Sequence, residues 1–284
     1  MSYSEAKNVA FTTIKNVPRF TSEIDEDLRK VSRNLVRHSY RSYFYTFHRT
    51  TLAYFHVKVA DTLARLNPNY LGDGRTTQRH FYFGHSFLLD KRDNINYPTE
   101  GQRLFVGIFK HGLGIYNDGV DYWRVRLAAS KYWNLKKGFY AASDVSILST
   151  FPEERAYYNY YKIGFLFEVL RGYDLNVIEG SNYMIQRNEI KYKLIAKKWN
   201  ISRIMPIRQF QTFPFTMYGK VYFDQGYARG YPEYDGSELL SDRYLYSYGA
   251  GLDLVLVNDL TFRLEYSRNV LNQTFFFINL LALL

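Results

Sequence analysis

The chain has 284 residues, a net charge of +10 and no cysteine, and 28 Tyr and 22 Phe help raise its aromatic share to 19%. With 46% hydrophobic and 23% charged residues it is neither disordered nor collagen-like, and the absence of cysteine excludes disulfides, thiolate metal sites, iron–sulfur clusters and a thiol nucleophile. No stretch approaches the roughly 18 consecutive apolar residues of a transmembrane helix, which leaves open transmembrane strands, where only alternate residues face lipid.

In chain order, Met1 to Lys15 lacks the apolar core that follows a basic start in a signal peptide. Ser22 to Arg37 is charged and fits either a short helix or an extended loop. Residues 1–40 are therefore read as an N-terminal segment or partial strand, and 41–284 as one domain. From about Ser39 the dominant signal is alternation with a period of two. In Leu260 to Ser267, Leu260, Phe262, Leu264 and Tyr266 share one face, while Thr261, Arg263, Glu265 and Ser267 share the other. Ile190, Tyr192 and Leu194 alternate with Glu189, Lys191 and Lys193, and Leu252 and Leu254 alternate with Gly251 and Asp253.

Clusters of Gly, Pro, Asn and Asp punctuate these runs, at 67–74, 116–119, 152–154 and 230–236. The expectation is an all-β, antiparallel chain of about 12 strands. Alternation by itself does not distinguish a half-buried soluble sheet from a barrel with lipid outside and charge inside.

Chemistry-bearing motifs are sparse. There is no Gly-rich phosphate loop, zinc-binding His-Glu-x-x-His or Gly-x-Ser-x-Gly elbow, so no enzyme activity and no cofactor are expected. The six histidines (His38, His48, His56, His80, His85 and His111) lack ligand spacing on a shared element, and no metal site is expected. Basic–aromatic stretches such as Tyr40-Arg41-Ser42-Tyr43-Phe44-Tyr45 could track single-stranded nucleic acid. Their scatter along the chain favours an aromatic girdle, with no nucleic-acid partner.

One string is more specific. Asp90-Lys91-Arg92-Asp93-Asn94, followed by Pro98-Thr99-Glu100-Gly101, resembles a hairpin of barrels in the bacterial surface antigen superfamily, the BamA/TamA type. Leu170-Arg171-Gly172-Tyr173 resembles the Val/Ile-Arg-Gly-Phe/Tyr tip of that family's long sixth extracellular loop, with Leu at the first position. Arg187-Asn188-Glu189 and Phe223-Asp224-Gln225-Gly226 are similar to strands carrying lumen carboxylates. The chain finishes on a strand-like run with Phe275, Phe277 and Leu284, similar to the terminal strand that assembly machinery reads in this family.

The resemblance implies a transmembrane β-barrel in a Gram-negative outer membrane. It also implies Arg171 folded into the lumen beside Asp224 and Glu189, with Gly172 and Tyr173 completing a loop latch. Family barrels have roughly sixteen strands and follow periplasmic POTRA domains, so this chain is expected to be a barrel lacking its first strands or an unusually reduced member. The implied function is assistance in inserting other outer-membrane proteins. Its partners would be client proteins, outer-membrane lipids including lipopolysaccharide, and accessory periplasmic subunits. The alternatives are a secretion or translocation pore, and the barrel anchor of a patatin-like phospholipase.

Overall fold

The computed structural model describes residues 2–6, 9–14, 17–20, 27–164, 170–200, 212–230, 240–256 and 260–281. Twelve antiparallel strands form one sheet: β1 (Ser2–Ala6), β4 (Arg29–Tyr43), β5 (Thr46–Val59), β6 (Thr77–Asp90), β7 (Gly101–His111), β8 (Tyr122–Lys136), β9 (Phe139–Phe151), β12 (Asn182–Asn200), β13 (Thr212–Arg229), β14 (Tyr244–Val255), β15 (Thr261–Asn269) and β16 (Thr274–Leu281). Two small hairpins lie outside it, β2 (Ala10–Ile14) with β3 (Val17–Phe20), and β10 (Tyr161–Gly164) with β11 (Val177–Gly180). One short helix, α1 (Asp61–Leu66), sits between β5 and β6.

The sheet begins earlier than residue 41. Arg29 to Tyr43 pair along β5, so the charged segment left between helix and loop is strand from Arg29 onward. The reason is cross-strand: Val31 faces Val57 and Leu35 faces Ala53, apolar pairs that the intervening Arg33 and Arg37 conceal in the local pattern.

Burial reveals which side is which. Outward positions are apolar yet exposed: Ile278 and Phe276 are each 66% exposed, Val221 57% and Ile190 51%. Leu252, Leu264 and Ile278 line up across β14, β15 and β16 in this outer row. Inward positions are charged yet buried, with Asp224 and Asp253 at 0% and Lys220 at 4%. A soluble sheet places these residues the other way round, because water solvates charge and hydrocarbon does not. Apolar outside and ionic inside is the arrangement that lipid selects. Most sheet strands also exceed the roughly 9–11 residues that a tilted transmembrane strand needs; β4 has 15 and β12 has 19.

The sheet does not close on itself among the described residues: β1 and β16 are its two edges. Successive strands of the sheet are all neighbours; the hairpin of β2 and β3 lies between β1 and β4 in sequence, and the connection from β9 to β12 carries a 3-10 turn (Tyr157–Asn159) and the hairpin of β10 and β11. This connection packs inward. Leu170, Tyr173 and Ile178 join Leu148, Ile185 and Leu245 of the wall in one buried cluster.

Candidate functional site

The site is assembled on the inner wall by strand register. On β12, Glu189 pairs across to Tyr222 of β13, and Asp224 lies opposite Arg187. β14 contributes Asp253 and β15 contributes Glu265, again from inward rows. Into this wall the β9–β12 connection inserts Arg171.

The Arg171 guanidinium takes Asp224 in a fork. Nε donates to Oδ2 at 2.7 Å and Nη2 donates to Oδ1 at 2.6 Å. Nη1 donates to Glu189 Oε2 at 2.8 Å and lies 3.8 Å from Glu265 Oε1, while the guanidinium sits 4.0 Å from the centre of the Tyr222 ring. A planar fork with two parallel N–H donors fits one carboxylate at two points, which an ammonium cannot do.

The neighbours of Arg171 extend the network. Lys191 Nζ lies 2.9 Å from Glu189 Oε1, and Lys220 Nζ lies 2.7 Å from both Asp253 Oδ1 and Glu265 Oε1. Arg263 Nε approaches Asp253 Oδ1 at 3.7 Å. Four cations (Arg171, Lys191, Lys220 and Arg263) thus meet four carboxylates (Glu189, Asp224, Asp253 and Glu265), and the cluster is neutral as a unit. Buried charge is tolerable on these terms only.

The residues after Arg171 fix the loop tip. Gly172 has φ of +83°, and a Cβ there would lie 3.1 Å from Ser247 Cβ and 3.4 Å from Ser267 Cβ, so both backbone conformation and space require glycine. Its carbonyl accepts from Asn269 Nδ2 at 2.9 Å. Tyr173 is fully buried, and its hydroxyl donates to the Tyr246 carbonyl at 2.8 Å. Leu170 is equally buried, an apolar anchor on the other side of the arginine.

The hairpin between β6 and β7 is built by its own polar residues. Arg92 forks onto Asp90 (2.8 and 2.7 Å), and Asn94 Oδ1 accepts from the amides of Asn96 and Tyr97. Asp93 accepts from the Thr99 hydroxyl at 2.6 Å and from the amides of Thr99 and Glu100 at 2.9 and 3.0 Å. Partial burial pushes the Asp93 carboxyl up, but these donors outweigh it and hold the group below the usual carboxylate range. Gly101, at φ of +108°, brings its backbone to where a Cβ would lie 2.1 Å from the Lys91 carbonyl oxygen. Pro98 restricts Tyr97 to extended backbone, and Tyr97 turns into the lumen.

Tyr97 is the residue that motif reading missed. Its hydroxyl donates to Asp253 Oδ2 at 2.9 Å, across 156 positions of sequence, and Lys191 Nζ sits 4.2 Å from the centre of its ring. Lys220 and Asp253 were likewise absent from the expected site; their one sequence signal is a charge at an inward position between apolar neighbours. In β16, Phe275 and Phe277 take the inward, half-buried positions, while Phe276, Ile278 and Leu280 point outward. Leu284 lies outside the described residues. Among the described residues no group of three or more His, Asp or Glu is placed to hold a metal ion.

A wall that is apolar outside and ionic inside, with a loop pinned to its inner face, defines an outer-membrane β-barrel protein. The chain belongs to the Omp85 superfamily: the Omp85 superfamily domain matches residues 19–268. A crystal structure of BamA from Haemophilus ducreyi lacking POTRA domains 1–3 superposes with a TM-score of 0.60 at 14% identity, over 89% of this chain and 53% of that one. The chain therefore spans about half the length of that structure. The beta domain of the Bordetella autotransporter BrkA aligns over 94% of this chain and 90% of its own, with a TM-score of 0.28 and 11% identity. A comparison with curated proteins found no match.

Proposed function

We propose that this chain assists the insertion of other outer-membrane proteins, acting in a Gram-negative outer membrane as a template for incoming strands. The observation that carries this reading is the free edge of β16. It is bonded on one side to β15 and, among the described residues, to nothing on the other. Its outward row, Phe276, Ile278 and Leu280, is exposed and apolar. In hydrocarbon an unpaired strand edge leaves N–H and C=O groups unsatisfied at several kcal/mol apiece, so an arriving strand is favoured to pair there by β-augmentation. Such a reaction needs neither covalent chemistry nor a cofactor. Client barrels, surrounding lipids including lipopolysaccharide, and POTRA or accessory subunits would be the partners. A loop packed into the interior also favours templating at the edge over conduction through the lumen.

The test is reconstitution of the chain into vesicles with a urea-denatured small barrel as client, followed by gel migration of unboiled samples. Several-fold faster appearance of folded client than in empty vesicles is expected. Client folding at the empty-vesicle rate sinks the proposal; solute efflux in that case supports the pore, and its absence supports the anchor.

A further inference from the structure

The inner wall has a second region of opposite composition. Arg33, Arg37, Arg49, Arg124 and Arg126, on β4, β5 and β8, line one recess of about 360 Å³. Register places them there: Arg33 lies opposite Phe55, Arg37 opposite Thr51, Arg49 opposite Ser86 and Arg126 opposite Gly107, all in inward rows. No Asp or Glu is among the described residues lining the recess. Arg33, Arg37 and Arg49 are solvent-exposed and make no ion pair among the described residues.

Arg33, Arg37 and Arg49, gathered on one concave wall, repel each other, and the field they focus attracts a counter-ion of several charges. We infer that this recess binds a phosphate-bearing anion carrying at least two negative charges. Guanidinium forks match phosphate oxygens in geometry as well as charge. The volume suits one headgroup-sized anion and is too small for an extended peptide strand. Phe55, Tyr82, Phe105 and Phe109 give the recess an apolar floor, against which the carbon skeleton of a phosphorylated sugar would pack. Part of the cradle is already held in place. Arg124 Nη2 donates to the Asn159 carbonyl at 3.0 Å, and the Arg126 guanidinium lies 5.8 Å from the centre of the Phe105 ring. His111 lines the same recess.

The probe is inorganic pyrophosphate, titrated calorimetrically into the full chain in detergent at low salt, with acetate as the monovalent control. Saturable pyrophosphate binding without acetate binding is expected, weakening as salt rises. Arg33→Gln, Arg37→Gln and Arg49→Gln combined should weaken it at least tenfold, whereas Arg229→Gln, outside the recess, should leave it unchanged. Gel migration of unboiled samples reports whether each variant is folded, and the Arg→Lys triple variant restores the charge if the Gln variant does not fold. A micellar diphosphorylated glycolipid that displaces pyrophosphate assigns the site to a lipid headgroup; failure to displace it assigns a soluble phosphate. Absence of saturable binding to the folded wild-type chain, or equal binding by the folded triple Gln variant, overturns the proposal.

Discussion

Arg171 makes three short charged hydrogen bonds from one side chain, and each partner is a carboxylate on the wall. Removing one member of such a buried set leaves the others uncompensated, at about 3–5 kcal/mol. Arg171→Ala is therefore expected to lower the unfolding midpoint in urea and to free the loop for proteolysis. Arg171→Lys should recover the charge but only part of the stability, because an ammonium cannot span both oxygens of Asp224. Wild-type behaviour of both variants would show that the contact is dispensable. The arginine was legible in the sequence because Leu-Arg-Gly-Tyr is a recognisable string. Tyr97 was not: nothing local marks a turn tyrosine as a ligand for an aspartate 156 positions away.

At the scale of the strand, alternation in β15 specified both faces and the structure agrees with it. Tyr266 and Phe262 point outward and are exposed, while Glu265 bonds Lys220 and Arg263 approaches Asp253. Leu264, between Leu252 and Ile278 in the outer row, provides the test. Leu264→Arg is expected to cost about 2–4 kcal/mol if it lies near the bilayer midplane, and less near an interface. Since the chain has no cysteine, single cysteines at 264 and 265 can be labelled cleanly. A lipid-soluble reagent should reach position 264 and a water-soluble one position 265; the reverse pattern would mean a register slip of one residue. Ser22 to Arg37 shows where this reading fails. From Arg29 to Arg37 the outward and inward residues are both largely polar, so period two carries little contrast, and only pairing with β5 makes Arg29 onward a strand.

Across the whole molecule, the two recognisable motifs start from opposite ends of the strands. The β6–β7 hairpin and the β9–β12 connection are separated by an odd number of antiparallel strands, β7, β8 and β9. They are nevertheless joined through side chains: Tyr97 to Asp253, Asp253 to Lys220, Lys220 to Glu265, and Glu265 to the flank of Arg171. Contiguous ionic networks couple their members energetically. Tyr97→Phe and Arg171→Lys should be non-additive by at least about 0.5 kcal/mol in a double-mutant cycle. Additive urea midpoints would show that the network is a set of independent pairs.

The sequence by itself determined the all-β alternation, and its resemblance to a known family pointed to the class of the protein and to Arg171 as a loop residue facing the wall. Period two survives in any sheet, and the hairpin and Arg-Gly strings are short enough to be read locally. The tertiary structure decided the rest. It turned the apolar side outward and the charged side inward, because only burial distinguishes a charged lumen from a charged exterior. It drew Tyr97, Lys220 and Asp253 into the site, and it gathered arginines from three strands into one recess. Each of these depends on which inward rows stand side by side, and register between distant strands is a long-range property that no local pattern encodes.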